Sequence, residues 1–426
     1  MDISIIGAGY VGLCSAAGLA LKGNKVICAD VDPKKIEKIN TGEPPIEEPG
    51  LKEALDSTRD KLTATTDIND AVLRSSVTFI CVGTPSTDDG SIDLSFVKAA
   101  SEAVGKALRG RGYHLVVVKS TVVPGTTEDT VLPIIEKSSE KRAGAGFGLC
   151  TNPEFLREGS ALEDFLNPDR IVIGEFDRKA GDALAKLYQN FNSPVVRTGL
   201  KTAEMIKYAS NAFLASKISL INEIGNICKS LGVDAYTVAE GVGYDKRIGR
   251  AFLNAGVGFG GSCFSKDVLA LTHKAKETGN TTPILDEVIK ANKEQRKRII
   301  ELLKKKITLK SRRISILGLA FKEGTGDVRD SPAVDIVRYL LLEGASVVAY
   351  DPKATDNFRK IFPDINYAET ARQAIDRSDA CLVLTSWDEF RSMQDADFEG
   401  MKSKIIIEGR HVLDTNRVTG FEGICW

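Results

Sequence analysis

The residues with the most chemical potential fall in one stretch, Gly256-Val257-Gly258-Phe259-Gly260-Gly261-Ser262-Cys263-Phe264-Ser265-Lys266-Asp267, just past the middle of the 426-residue chain. Its glycines let the backbone turn tightly and approach a ligand, and they deliver Cys263 to the start of a helix expected near Ser265. Free cysteine has a pKa of about 8.5, and a helix N-terminus or a nearby lysine lowers it, so Cys263 is a candidate nucleophile. Asp267 follows four residues later on the same helical face, where a carboxylate can position water while opposing ionisation of the thiol. The competing reading is an inert cysteine buried in a glycine turn, and the rest of the chain decides between the two.

Two other stretches carry groups that suit the same chemistry. Thr151-Asn152-Pro153-Glu154-Phe155-Leu156-Arg157-Glu158-Gly159 sets two carboxylates four residues apart beside a proline, suited to a base and a ligand clamp or, taken alone, to a solvated helical turn. From Lys201 to Leu231, the residues Ile206, Ala209, Phe213, Leu220, Ile224, Ile227 and Leu231 keep three-to-four spacing and predict one long amphipathic helix, a length suited to a hinge between domains. Lys207 and Asn211 share one side of it and present a cation and an amide together; the alternative for Lys207 is an exposed helix lysine.

The elements that must position these groups begin at Ile3-Ser4-Ile5-Ile6, a buried strand running into Gly7-Ala8-Gly9-Tyr10-Val11-Gly12 and an apolar helix to Leu21. In that strand-to-helix context Gly7 makes the turn, Gly9 admits a pyrophosphate, Gly12 allows close packing, and the helix N-terminus supplies N–H donors. A second strand, Lys25 to Ala29, ends in Asp30, eighteen residues after Gly12, where a carboxylate binds ribose hydroxyls and repels a 2′-phosphate; this selects NAD over NADP. Lys35 either touches the ribose or is simply exposed. Strands at Val77 to Val82 and Leu115 to Val118 end in Gly83-Thr84-Pro85 and Lys119-Ser120-Thr121, at the sheet edge where open parallel sheets bind ligands. Thr84 and Thr121 suit that role or the capping of a following helix. The Pro-rich segment Gly42 to Gly50 reads as a loop with no assigned chemistry.

Beyond the cysteine loop, one helix runs to about Gly279 and Thr282-Pro283 opens another that ends in Lys304-Lys305-Lys306, a solvated basic terminus. The chain then restarts. Arg313 to Gly318, Ser346 to Pro352 and Asp379 to Thr385 echo the strands that end at Gly7, Asp30 and Thr84, predicting a second α/β sheet of similar topology. Its first turn, Gly318-Leu319-Ala320-Phe321-Lys322, lacks two of the three glycines and so should take a different ligand; Lys322, Arg329 and Arg410 suit phosphates or sugar hydroxyls.

At 426 residues two or three domains are expected, and 57 basic against 58 acidic residues give no global charge to attract nucleic acid or an anionic membrane. Eight scattered cysteines, without Cys-x-x-Cys or pairing with the three histidines, argue against a metal site or disulfide framework and for a reducing cytoplasm. No basic leader or membrane-length apolar run is present, so a soluble, unexported protein is expected.

With these pieces placed, the chain resembles the UDP-glucose/GDP-mannose dehydrogenase family, on its UDP-glucose 6-dehydrogenase branch. The resemblance runs from Gly7 to at least Arg410 and rests on Gly7 to Gly12, Asn152-Pro153-Glu154-Phe155-Leu156, Gly258 to Phe264, and Phe321-Lys322 with Gly326-Asp327-Val328-Arg329-Asp330-Ser331. It implies an α/β protein of two Rossmann-like doubly wound domains joined by a long central helix. The divisions are an NAD-binding domain over 1–200, a helical dimerisation segment with the cysteine loop over 201–306, and a UDP-sugar domain over 307–426.

The resemblance also implies oxidation of the C6 alcohol of UDP-glucose to a carboxylate with two NAD and one water, in a cytoplasmic homodimer. A base takes the hydroxyl proton, by similarity either Lys207 or a water held by Asp267 and Thr121. Cys263 attacks the aldehyde, because the resulting thiohemiacetal has a hydroxyl carbon that can lose a second hydride. Lys207 and Asn211 steady the oxyanions, and Glu154, Asp267 and Thr121 are candidates to activate the hydrolytic water. The sugar pocket implied is Glu154, Phe155, Leu156, Arg157 and Glu158, with Lys207, Asn211 and Arg247, the last reaching across the dimer. Phe252, Leu253, Asn254, Gly256, Gly260, Lys322 and Arg410 complete it. Cofactor contacts implied are Gly7, Gly9, Tyr10, Val11, Gly12, Asp30 and Lys35, then Thr84, Pro85, Thr121, Glu158 and Arg329.

The family often has proline where Ser265 stands, a serine expected to cap the helix without chemistry, and lysine where Asn254 stands. Within the class, a GDP-mannose dehydrogenase or an enzyme for another UDP-hexose shares the fingerprint. Outside it stand a two-electron β-hydroxyacid dehydrogenase, which needs no cysteine, and a non-enzymatic nucleotide-sugar scaffold.

Overall fold

The opening strand is apolar without alternation because both of its faces are covered: β1 (Asp2–Ile6) is buried from Ile3 onward. The computed structural model describes residues 1–426. They divide into two units, Met1–Ser210 and Asn211–Trp426. In the first, β1 lies inside an eight-stranded sheet with β2 (Lys25–Ala29), β3 (Leu62–Thr65), β4 (Val77–Ile80), β5 (Leu115–Val118), β6 (Gly148–Thr151), β7 (Ile171–Glu175) and β8 (Val195–Gly199). The order is β3-β2-β1-β4-β5-β6-β7-β8, parallel throughout except for the antiparallel pair β6 and β7. Successive residues point to opposite faces, so Ile3 and Ile5 enter one core with Leu13, Phe79 and Val117, and Ile6 enters another with Ile80, Val104 and Phe147. Each such aliphatic side chain contributes about 1.5–3 kcal/mol by leaving water. The strand order reverses between β1 and β4, which opens a crevice at their carboxyl ends, beside Gly7 and Cys81.

The second unit contains most of the long helix Leu200–Leu231, then helices Ala235–Gly243, Phe264–Glu277 and Pro283–Lys304. A six-stranded parallel sheet follows, made of β9 (Arg313–Leu317), β10 (Ser346–Tyr350), β11 (Asn366–Tyr367), β12 (Ala380–Val383), β13 (Ile406–Glu408) and β14 (Phe421–Gly423). Its order, β11-β10-β9-β12-β13-β14, repeats that of the first six strands of the first sheet, so the echo in the sequence is an echo in topology. The two sheets use their matching acids differently. At the end of β10, Asp351 is 3% exposed and accepts the N–H groups of Leu319, Ala320, Lys353 and Ala354 and the Trp387 indole N–H, all at 2.7–3.0 Å.

The long helix buries Ala212, Ala215 and Ile221 in the second unit, but Phe213, Leu220, Ile227 and Leu231 are 74%, 60%, 55% and 72% exposed. Four of the seven apolar residues whose spacing predicted the helix thus form a bare stripe on the unit's surface. No helix is long and apolar enough to cross a membrane.

Candidate active site

The candidate residues fall in two groups, one in each unit. In the first unit the glycine turn meets the physical demands of a dinucleotide. A Cβ on Gly12 would stand 1.8 Å from the carbonyl oxygen of Gly7, so the helix packs against the turn only with glycine there. Gly9, with φ −83°, has nothing within 4 Å of a Cβ position, which is the open approach a pyrophosphate requires. The helix Tyr10–Leu21 has no side-chain cap and no acid in its first turn, leaving N–H donors and a positive dipole end for an anion. Asp30 accepts the N–H of Ala8 at 2.7 Å and that of Asp32 at 3.0 Å, and Lys35 lies 3.5 Å away and is partly exposed. That leaves acceptor capacity on the Asp30 carboxylate for a ribose diol. These residues fit NAD.

At the carboxyl ends of β5 and β6 the side chains form a buried cluster. Lys207 pairs with Glu154 at 2.9 Å, each side chain 6% exposed, and the Thr121 hydroxyl donates to the same Glu154 oxygen at 3.4 Å. The other Glu154 oxygen accepts the Leu156 N–H at 2.6 Å. Burial alone would raise the Glu154 carboxyl, but the Lys207 ammonium, the Leu156 N–H and the charge of Lys119 outweigh it and hold the group below the ordinary carboxylate range. Phe155 lies under the Arg170 guanidinium at 3.7 Å and near Lys207 at 5.4 Å.

Three of the competing alternatives fall away here. Residues 152–157 are irregular rather than a helical turn, and Glu154 is buried rather than solvated. Lys207 is buried, not an exposed helix lysine. Thr84 and Thr121 cap no helix: Thr84 donates to the Thr121 carbonyl at 2.9 Å and so ties the two strand ends together.

Two residues of the first unit were not singled out as candidates from the sequence. Glu48, in the Pro-rich loop assigned no chemistry, is buried and accepts the N–H groups of Gly159 at 2.8 Å and Ala161 at 2.6 Å. It anchors the segment bearing Glu154 and Glu158, and the Tyr10 hydroxyl reaches the carbonyl of neighbouring Glu47 at 3.2 Å. Lys119 is buried, donates to the Asn152 side chain at 3.0 Å, and is pushed down by that burial. Neither gave a distinguishing local signal: Glu48, next to Pro49 in a Pro-rich stretch, suited an exposed loop.

In the second unit the cysteine loop is held from all sides. Asn292 accepts the Phe259 N–H and donates back to its carbonyl, at 2.8 and 3.0 Å, while Asn222 and Gln295 bond the two ends of the Gly256 peptide at 2.8 Å each. Arg410 donates to the Gly258 carbonyl at 2.6 Å, and a Cβ on Gly260 would stand 2.3 Å from the Asp330 carbonyl. The loop delivers Cys263 to the N-cap of the helix Phe264–Glu277. None of the eight cysteines is in a disulfide and Cys263 alone is exposed, which removes the reading of a buried, inert thiol.

Asp267 is 2% exposed and its N–H bonds the Cys263 carbonyl at 2.8 Å. Its oxygens accept from Asn211 and Lys266, each at 2.6 Å. The sequence paired Asn211 with Lys207; the fold gives its amide to Asp267. Ser265 does not cap the helix as expected. It sits within the first turn and donates to Asp330 at 2.5 Å, and Asp330 is in turn held by Arg296 at 2.7 Å.

The other candidates of this unit lie on the loops around that core. Leu253 is buried and Phe252 has a φ of +65°, while Asn254 is exposed. Lys322 lies near the Phe321 ring at 5.8 Å, and Arg329 pairs with Asp327 at 2.6 Å while its carbonyl accepts the Gly261 N–H. Arg247 is drawn to neither group within its unit: its side chain is 89% exposed and pairs with Asp245 at 2.6 Å. In the first unit Arg157 likewise turns to the surface and pairs with Asp164 at 2.6 Å.

Comparison with known proteins adds three matches along the chain: the NAD-binding domain of the UDP-glucose/GDP-mannose dehydrogenase family over residues 1–192, its central domain over 201–294, and its UDP-binding domain over 315–415. A UDP-glucose 6-dehydrogenase of Haloferax volcanii is 47% identical over the full length of both chains. One from Bacillus subtilis is 46% identical over 96% of this chain and 89% of its own. The solved structure of a UDP-glucose dehydrogenase from Pyrobaculum islandicum superposes with a TM-score of 0.94 at 42% identity, covering 100% of this chain and 97% of that one. A crevice built for NAD, an exposed thiol on a glycine-braced loop and matches to all three domains have one explanation: the chain belongs to the UDP-glucose/GDP-mannose dehydrogenase family.

Proposed function

We propose that the protein is an NAD-dependent UDP-glucose 6-dehydrogenase that carries out both oxidations at one cysteine. The observation that carries this reading is Cys263, the sole exposed thiol, set at a helix N-cap one turn before a buried carboxylate. NAD, when bound, accepts the hydride of each oxidation. In the first, the C6 hydroxyl gives its proton to Lys207 or to a water beside Asp267 and Thr121, and C6 becomes an aldehyde. The Cys263 thiolate adds to that carbon, and Lys207 and Asn211 donate to the resulting oxyanion. Loss of a second hydride and the hydroxyl proton turns the thiohemiacetal into a thioester. Water, activated by Glu154, Asp267 or Thr121, then cleaves the carbon–sulfur bond to give UDP-glucuronate and the free thiol.

The remaining assignments belong to the same proposal. Residues 1–200 bind the cofactor, 201–306 form the dimerising segment with the cysteine loop, and 307–426 bind the UDP-sugar through Lys322 and Arg410. The bare stripe of Phe213, Leu220, Ile227 and Leu231 supports a homodimer formed along the central helix, since exposed apolar stripes of this kind mark interfaces. Exposed Arg247 reaches the partner's sugar pocket. Eight cysteines outside any disulfide support a reducing, cytoplasmic setting.

The test is the number of NADH formed per UDP-glucose consumed, with Cys263→Ser measured in parallel. Two NADH from the native protein, and a variant that stalls or stops at the aldehyde level, support the covalent route. A ratio of one, or a variant that completes both oxidations, overturns it. Turnover of GDP-mannose in place of UDP-glucose keeps the route and replaces the substrate.

A further inference from the structure

Glu204 lies in the first unit, three residues before Lys207, and is 2% exposed. Its two carboxylate oxygens accept the backbone N–H groups of Gly125 at 2.6 Å and Thr127 at 2.9 Å. Those peptides belong to the loop that leaves β5 through Thr121, and Thr127 opens a π-helical turn, Thr127–Val131. From Gly125 the chain runs back four residues to Thr121, whose hydroxyl donates to Glu154. Glu154 pairs with Lys207, and Lys207 returns to Glu204 along one turn of the long helix. The contacts thus close a ring through three segments distant in sequence: the loop after β5, the loop after β6 and the helix.

We propose that Glu204 is a positioning residue which holds Thr121 and Lys207 in register on Glu154 for the reaction proposed above. The two N–H donors are aimed one at each carboxylate oxygen. A glutamine supplies one and turns its own N–H groups toward the other donor, so the loop end at Gly125 or Thr127 is released. Gly125 has a φ of +100° and a Cβ there would meet Asp129 at 2.7 Å, so the loop has little room to recover the contact by sliding.

The environment gives this tie a dependence on pH. Burial pushes Glu204 up to about 7 against the pull of the Thr127 and Gly125 groups, and Asp129 adds to the rise. The other charges near it are Glu128, which with Asp129 is bridged by Lys201 at 3.2 and 3.4 Å, and Lys207 on its own helix. β7 meets this stretch of helix through Gly174, against Leu200 and Ala203, and its one acid, Glu175, is paired with Arg197 at 2.6 Å. Ionised Glu204 accepts both N–H groups; protonated, it loses acceptor capacity, so the tie weakens as pH falls through about 7.

Because the inference rests on the dehydrogenase reading, it is measured against a native enzyme that has already yielded NADH from UDP-glucose. Glu204→Gln should lower kcat, per folded enzyme, about ten- to a hundredfold, the cost typical of a small misplacement of reacting groups. The KM values for UDP-glucose and NAD should stay within about threefold, and the native acid limb of kcat near pH 7 should vanish. Glu204→Asp, which keeps a carboxylate, should restore part of kcat and an acid limb at a shifted pH. A lowered melting temperature with native kcat and native pH profile would mean a purely structural role and overturn the proposal. If Glu204→Gln yields no folded protein, Glu204→Asp decides: a displaced acid limb supports the proposal, and a native kcat with a superposable limb overturns it.

Discussion

Glu154→Gln should cost the first unit more stability than any surface substitution, and the size of the loss follows from its surroundings. The native carboxylate and the Lys207 ammonium are 2.9 Å apart with 6% of each side chain exposed, so water can screen neither. Removing one partner of such a buried pair typically costs about 3–5 kcal/mol, because the remaining charge faces a neutral group at low dielectric. For a unit of this size each kcal/mol lowers the melting temperature by roughly 2–4 °C, so the transition of the first unit should fall by about 6–20 °C. The Glu154 carboxyl is held below its ordinary value of 4.5, so its contribution is complete above that pH and lost as pH falls through the lower folded value. Calorimetry at pH 7 therefore reads the full effect. The double variant Glu154→Gln/Lys207→Met removes the buried unpaired charge, and its loss should be smaller than the sum of the single losses by at least about 1 kcal/mol. A transition of Glu154→Gln within about a degree of native, or single losses that add within about 0.5 kcal/mol, would refute the reasoning.

Other outcomes follow from single contacts. Gly9→Ala should fold with native thermal stability, since nothing lies within 4 Å of the new methyl, yet bind NAD weakly; Gly12→Ala, with its methyl 1.8 Å from a carbonyl, should lose soluble protein, and equal behaviour of the two in melting and NAD titration would contradict this. His114 is 1% exposed, bonds Thr78 at 2.7 Å, and is pushed from 6.5 down to about 4 by burial, with Arg111 and Lys141 adding to it. Its folded pKa is depressed, so stability should decline as pH drops from about 6.5 to 4, by about 3 kcal/mol in all, and His114→Gln should flatten that slope in urea melts. Phe213→Glu with Leu220→Glu should convert a dimer to a monomer in light scattering, and a native protein already monomeric would remove the basis of the expectation.

Much of the scaffold was legible because its signals are local. Apolar runs, a glycine fingerprint and an acid eighteen residues on define the first sheet, and their echo from Arg313 defines the second. The cluster around Glu154 was legible only as a list of candidates. Glu154 and Lys207 lie on segments that no periodicity relates, and each read on its own as a solvated group, because burial of a charge depends on a partner 53 residues away. Glu48 was invisible for the same reason: it caps peptides more than a hundred residues downstream. Ser265 was misread because placing it at the cap starts the helix two residues later than it does; with Cys263 at the N-cap, the serine lies in the first turn and bonds Asp330.

The saturated Asp351 carries a consequence for how two copies of one scaffold share a chain. With five donors on a single carboxylate, no lone pair remains to greet a ribose, whereas Asp30 keeps capacity in reserve. The second sheet has thus been made deaf to the ligand that its own topology would otherwise attract. A rising cofactor concentration then has no foothold there, and crowding out of the other ligand by a dinucleotide is prevented by a side chain turned inward on its own backbone rather than by any barrier at the surface.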